Sequence, residues 1–130
     1  MLTRAALIGN EVWLFSYGTL RQLEVQLAIF GRALDGQADV LPGYAVVPLH
    51  ITDAGVIATS GTSHHTIAHE TGDLRDKVPG IVFRITPAEL AAADAYEVAD
   101  CKRVTVRLAS GIDAFVYVDA RPRLDEQTRN

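Results

Sequence analysis

The stretch of sequence that decides the fold is VWLFSYGTLRQLEVQLAIFG, residues 12–31. Residues 12–17 are mostly aromatic and aliphatic, and because the apolar residues run on without alternating, they predict a strand buried on both faces. Gly31 is a helix stop signal that ends the stretch. Between Gly18 and this stop, four apolar residues recur at helical spacing: Leu20, Leu23, Leu27 and Phe30. We therefore predict that a strand, a glycine turn and a helix follow one another with almost no spacer.

Outward from this stretch, the chain reads as extended segments and one further helix. Residues 59–77 are dominated by Ser, Thr, His, Gly and Asp, which predicts a long surface loop. Thr86, Pro87 and Glu89 combine an N-cap, a first-position proline and a capping box, so a helix is expected from here to Glu97. Extended segments are expected at residues 38–41, 44–51, 56–58, 78–85, 103–109 and 114–119, with a Ser110-Gly111 turn between the last two.

This order of elements predicts an α+β domain. Its sheet is expected to be mixed, largely antiparallel and β-barrel-like, with two main helices. A chain of 130 residues suits a single domain, which we assign to residues 1–120. Residues 121–130 are polar and are expected to form a frayed tail.

Composition excludes several classes of protein. With 48% hydrophobic and 22% charged residues, the chain is close to the globular average rather than to disordered sequences. The net charge is −4 and no basic stripe is present, which argues against nucleic acid as a partner. No segment approaches the ~18 apolar residues of a membrane helix, and no secretory signal is evident, so we expect no membrane partner and a cytoplasmic location. The single cysteine, Cys101, excludes an internal disulfide and is expected to be incidental or structural.

Two short groups of residues are candidates for a functional site. Gly18 follows a buried strand and precedes a helix start, where free N–H groups favour a carboxylate or a polarised carbonyl oxygen. The alternative is that Gly18 only turns the corner and Thr19 caps the helix. At the end of the second helix, Asp94 and Glu97 lie at the end that is unfavourable for acidic side chains. Such local conflicts are expected at functional sites, although a solvated Glu97 just past the helix remains the alternative.

Together these residues resemble the γ-glutamylcyclotransferase-like (AIG2-like) family. Residues 17–20, Tyr-Gly-Thr-Leu, are similar to its Tyr-Gly-Ser-Leu signature, with a hydroxyl retained at Thr19. Residues 90–97 resemble its Leu…Leu-Asp-x-Tyr-Glu pattern, although Ala93 stands where Leu is usual. Residues 78–83 resemble the strand before its second helix, and 103–106 with 114–118 resemble its closing hairpin.

The resemblance implies an enzyme with a cavity between the Gly18 loop and Glu97. The family cleaves γ-glutamyl amides, releasing 5-oxoproline and a free amine or amino acid. Glu97 would be the general acid/base, and the partner would be a small γ-glutamyl substrate without any cofactor. Tyr117 would either hydrogen-bond the substrate or serve as a core aromatic. The implied substrate-binding residues are Tyr17, Gly18, Thr19, Leu20 and Tyr117.

Two other classes of function stay open. A non-catalytic domain of the same fold, binding a small ligand or a partner, is compatible with the divergent middle of the chain. A metal-dependent hydrolase would rest on His65 and His69, which are four residues apart and would share a face if their segment were helical. Because no third ligand stands at a fixed spacing, we expect a solvated polar loop there and no metal site.

Overall fold

The computed structural model describes residues 11–50, 54–61, 64–97 and 101–120. Within these ranges the chain forms seven strands, three α-helices and one 3-10 turn. In chain order they are β1 Val12–Ser16, the 3-10 turn Thr19–Arg21, α1 Leu23–Phe30, β2 Gly36–Pro42, β3 Tyr44–His50, α2 Ala54–Ser60, β4 His64–Glu70, β5 Lys77–Ile85, α3 Pro87–Tyr96, β6 Cys101–Arg107 and β7 Asp113–Asp119.

The main sheet has five strands in the order β2-β5-β1-β7-β6. The central strand β1 pairs with β5 antiparallel and with β7 parallel, while β2–β5 and β6–β7 are antiparallel. Strands β3 and β4 form a separate antiparallel pair. The predicted α+β class with a mixed, largely antiparallel sheet is therefore confirmed.

The sheet curls so that its two edges approach each other. The N–H of Ala109, just after β6, donates to the carbonyl of Val40 on β2 at 2.8 Å. The buried Asp39 carboxylate accepts hydrogen bonds from the N–H and the hydroxyl of Ser110. These bonds join the β6–β7 turn to the opposite edge strand, which gives the sheet its barrel-like curvature.

Both faces of β1 are buried, as its unbroken apolar run predicts. Leu14 packs in a cluster that includes residues of all three helices. Phe15 points to the opposite side, into a cluster built largely from strands. Because successive side chains of a strand point to opposite faces, a strand between two cores is apolar along most of its length; in β1 the exception is the buried Ser16 at its end.

Local stop and start signals act where the sequence places them. The hydroxyl of Thr86 accepts from the N–H of Glu89 and the Glu89 carboxylate accepts from the N–H of Thr86, which completes the capping box of α3. Gly31 ends α1 in a left-handed conformation with φ 73°. Glu89 also forms a two-bond ion pair with Arg32, so the end of α1 is joined to the start of α3.

The predicted loop at residues 59–77 is wrong. Residues 64–70 form β4, which pairs along its whole length with β3, and the expected strand at 56–58 lies inside helix α2. Composition was misleading because only a few positions face the core: Val56, Ile67 and Ala68 are buried, while polar neighbours take the outer positions. Within the described ranges, the two predicted helices are therefore joined by a third, the short α2.

The predicted register of the first helix is also wrong. A 3-10 turn covers Thr19–Arg21, and Gln22 is extended, with φ −80° and ψ 135°, before α1 begins. This break rotates the helix, so Leu23 and Leu27 are 51% and 50% exposed and Val25 is buried instead. The buried Gln26 side chain stabilises the break, because its amide donates to the carbonyl of Leu20 and accepts from the N–H of Leu34.

Two further sequence expectations concern the C-terminal tail and membrane helices. The tail assigned to residues 121–130 lies outside the described residues, so the domain boundary at residue 120 stays a prediction. In the part of the chain that the structure describes, no helix is long and apolar enough to cross a membrane.

Candidate active site

The loop after β1 forms the first half of the site. The N–H of Gly18 donates to the hydroxyl of Ser16 at 3.3 Å, and the Gly18 carbonyl accepts from the N–H of Arg21 at 3.1 Å. The N–H groups of Thr19 and Leu20 donate to no other described residue. A Cβ added at Gly18 would meet no atom within 4 Å, so this glycine leaves open space beside two available donors.

Glu97 forms the second half. It is the C-cap of α3, with φ −70° and ψ 148°, and its own N–H donates to the carbonyl of Ala93 at 3.1 Å. The helix ends here because the backbone of Glu97 is extended. Glu97 is half-buried, and desolvation, followed by the nearby charge of Asp94, raises its pKa to about 7.

One cavity brings these two halves together. The volume of this cavity is about 50 Å³. Among the described residues that form its wall, Glu97 carries the only carboxylate and no lysine or arginine is present. The wall consists of Phe15, Ser16, Tyr17, Gly18, Thr19, Leu20, Val56, His65, Thr66, Tyr96, Glu97, Cys101 and Tyr117. All six sequence-predicted site residues therefore lie on the same cavity, although their roles stay predictions.

A pair of hydroxyl groups joins the two halves directly. The Thr19 Oγ1 and Tyr96 Oη atoms are 2.7 Å apart. Tyr96 is the residue before Glu97, so this bond holds the end of α3 against the Gly18 loop. The hydroxyl of Thr19 thus has a structural partner on the Glu97 side of the cavity.

The hydroxyls of the two other wall tyrosines are already engaged. Tyr17 donates to the backbone carbonyl of Tyr117 at 2.7 Å and accepts from the N–H of Ala68 at 2.9 Å. Tyr117 donates to Asp94 Oδ1 at 2.7 Å, and Arg103 forms an ion pair with the other Asp94 oxygen. Burial is the main cause that raises the pKa of both phenols, so they stay protonated at neutral pH. These two residues contribute their rings to the cavity.

Sequence reasoning missed several wall residues. Tyr96 belongs to the pattern around Glu97, and its position beside a predicted base was the available signal. Cys101 was expected to be incidental or structural, and its position on the wall was not predicted. His65 and Thr66 reach the cavity from β4, whose strand character the composition concealed.

His65 and His69 do not have the geometry of a shared metal site. His65 and His69 lie on one strand, where residues four apart are separated by roughly 13 Å. The Nε2 of His65 is instead 3.2 Å from the Ser60 hydroxyl. Within the described ranges, no three His, Cys, Asp or Glu side chains come close enough to hold a metal ion.

Comparisons with known proteins identify the family and the fold. A family model described as γ-glutamyl cyclotransferase, AIG2-like, matches residues 14–129. A search of curated proteins found no match. Solution structures of two Arabidopsis thaliana proteins are similar to this chain. The first is 23% identical over 92% of this chain and 73% of that chain, with a TM-score of 0.61. The second is 18% identical over 92% of this chain and 82% of that chain, with a TM-score of 0.66.

A solved γ-glutamyl cyclotransferase is also similar, at 13% identity over 85% of this chain and 68% of that chain, with a TM-score of 0.62. At such low identities the solved structures show a common fold and nothing more. The family model, however, spans most of the sequence. The chain therefore belongs to the γ-glutamyl cyclotransferase, AIG2-like family.

Proposed function

We propose that this protein is a γ-glutamylcyclotransferase that converts a γ-glutamyl amide or peptide into 5-oxoproline and a free amine or amino acid. The observation that carries the proposal is the position of Glu97. Its half-buried carboxyl, with a pKa of about 7, shares one cavity with the Gly18 loop. A carboxyl with such a pKa suits proton transfer at neutral pH in both directions.

The reaction needs few protein groups, because the substrate supplies its own nucleophile. The α-ammonium of the γ-glutamyl group gives a proton to the Glu97 carboxylate, and the resulting amine attacks the γ-carbonyl carbon. A five-membered ring forms, and the bond from the γ-carbon to the leaving nitrogen breaks. Glu97 returns the proton to that nitrogen, and its carboxylate is regenerated. The attacking nitrogen loses its second proton to the released amine, so a neutral lactam and an ammonium group form and no external reagent is consumed.

Backbone donors of the Gly18 loop supply the electrostatic half of the mechanism. The N–H groups of Thr19 and Leu20 have no other described partner, so they are available to the substrate carboxylate or to the oxyanion. The Gly18 N–H is already bonded to Ser16, which makes it the weaker candidate of the three. The open space at Gly18 lets a ligand approach the backbone closely.

The aromatic wall shapes the substrate rather than reacting with it. The rings of Tyr17 and Tyr117 line the cavity while their hydroxyls are bonded to protein groups. We assign them the role of holding the glutamyl chain in the bent conformation that places amine and carbonyl in contact. No cofactor is required for any step.

The test is a screen of γ-glutamyl amides and dipeptides with 5-oxoproline as the measured product. We expect turnover by the wild type and a loss of about 10²- to 10⁴-fold in kcat for Glu97→Gln, because the proton acceptor is removed. Glu24→Gln, an exposed carboxylate on α1 outside the cavity, is the matched control and should retain full activity.

Two results would count against the proposal. Unchanged turnover in Glu97→Gln would remove this residue from the mechanism. Tight binding of γ-glutamyl compounds by the wild type without any 5-oxoproline would favour the non-catalytic binding domain instead.

A further inference from the structure

We propose that a groove beside the cavity receives the leaving group, and that Arg21 makes this groove select leaving groups with a carboxylate. The substrate class would then be γ-glutamyl amino acids or peptides rather than γ-glutamyl derivatives of neutral amines. This inference rests on the proposed cyclotransferase function and assigns its leaving-group side.

The groove is continuous with the cavity. The two share five wall residues: Tyr17, Gly18, Thr19, His65 and Thr66. Arg21, Gln22, Pro48 and Ile81 line the groove only, whereas Glu97 and Tyr117 line the cavity only. Glu97 must contact the α-amine of the γ-glutamyl group, so that group occupies the cavity. The other side of the scissile amide then extends through the shared mouth into the groove.

The charge of the groove has one sign. Arg21 is the only formally charged residue among those described along its wall, and no Asp or Glu lines it. An anionic leaving group therefore meets a favourable charge there without a competing carboxylate. A neutral alkyl amine gains nothing from this charge.

Arg21 is also positioned to use its charge at the mouth. Its Nε donates to the carbonyl of Gly18 at 3.1 Å, which tethers the guanidinium to the loop that forms the cavity wall. Its two terminal amino groups form no hydrogen bond or ion pair with any other described residue. A guanidinium with free terminal donors matches a carboxylate in shape as well as in charge.

The experiment compares two substrates that differ only in the leaving-group carboxylate: γ-glutamyl-alanine and γ-glutamyl-alaninamide. For the wild type we expect kcat/KM to be about two- to fivefold higher for γ-glutamyl-alanine, as one charge pair to the exposed Arg21 allows. Arg21→Gln should lower kcat/KM for γ-glutamyl-alanine to the level of the amide and leave γ-glutamyl-alaninamide nearly unaffected. Arg107→Gln, an exposed arginine remote from both pockets, is the control and should preserve the preference.

A second readout keeps this inference separate from the proposed function. Calorimetric Kd values of the two compounds for the Glu97→Gln protein do not depend on turnover, and we expect tighter binding of γ-glutamyl-alanine that weakens as salt is added. If Arg21→Gln lowers kcat/KM equally for both substrates, Arg21 acts on the glutamyl group or on the loop, and the inference is overturned. Equal Kd values, or no binding of either compound, would overturn it as well. If the Kd preference is present but no 5-oxoproline forms, the proposed function alone has failed.

Discussion

At the scale of single residues, the site depends on how one carboxylate is placed beside another. Asp94 lies three residues before Glu97, near the end of α3, and its two oxygens are held by Tyr117 and Arg103. Its negative charge adds to the desolvation that raises the pKa of Glu97. Around Glu97 the cavity wall also holds Tyr17, Tyr96, Cys101 and His65, but none of these carries a permanent positive charge that would offset the effect.

We predict an acid limb in the pH profile of kcat/KM with a midpoint near the Glu97 pKa of about 7. Activity should rise with pH through this limb, because only the carboxylate can accept the proton of the substrate ammonium. Asp94→Asn should move the limb to lower pH, since the variant removes a negative neighbour and leaves Arg103 nearby. An unmoved limb would show that Asp94 does not influence the base. Asp113→Asn, an exposed carboxylate paired with Arg107, is the control.

At the scale of elements, the Gly18 loop is held by the strand that precedes it. Gly80 on β5 faces the end of β1, where Ser16 pairs with Ile81 and Phe15 with Val82. A Cβ at Gly80 would clash with the carbonyl oxygen of Ser16 and lie 2.7 Å from the Phe15 ring. The close approach of these strands therefore depends on a glycine and determines where the site loop begins.

Gly80→Ala is expected to lower the free energy of unfolding by about 1–3 kcal/mol, the usual cost of overpacking. It should also reduce kcat, because β1 must shift and the donors of the loop shift with it. Urea denaturation measures the first effect and steady-state kinetics the second. Lys77→Ala, at an exposed position of the same strand, should change neither. A fully stable and active Gly80→Ala protein would contradict this account of the β1–β5 contact.

At the scale of the whole molecule, one hydroxyl group joins the two sheets. Tyr17 donates to the carbonyl of Tyr117 on β7 of the main sheet and accepts from the N–H of Ala68 on β4 of the small sheet. Ala68 is fully buried, so its N–H has no access to water as a replacement partner. The wall that β4 contributes to the cavity thus depends on a contact between residues 51 positions apart.

Tyr17→Phe is expected to reduce the free energy of unfolding by about 1–3 kcal/mol, because it leaves the buried N–H of Ala68 unpaired. Amide hydrogen exchange at Ala68 should accelerate by more than at the β1–β5 ladder. For comparison, Tyr44→Phe removes a hydroxyl for which the described residues provide no hydrogen-bond partner, and it should be nearly neutral. Equal stability of the two variants would rule out a structural role for the Tyr17 hydroxyl.

Local signals determined much of the fold from the sequence alone. The capping box at Thr86 and Glu89, the left-handed stop at Gly31 and the turn at Gly111 each depend on backbone groups within a few residues, so their meaning does not require the rest of the chain. The unbroken apolar run of β1 likewise predicted burial on both faces. Glu97 and the Gly18 loop were recognisable as a candidate site through their order and residue types.

Only the tertiary structure decided the remaining features, because each depends on a partner far along the chain. Residues 64–70 are a strand because β3 provides the matching edge, and their polar composition gave no sign of it. The exposure of Leu23 and Leu27 follows from the break that Gln26 stabilises by bonding Leu20 and Leu34, which periodicity could not predict. The cavity itself, where Glu97 meets a loop 79 residues earlier, exists because β1 lies in the centre of the sheet and α3 packs against the same core. These features are determined by pairing and packing between distant segments, so no local sequence pattern predicts them.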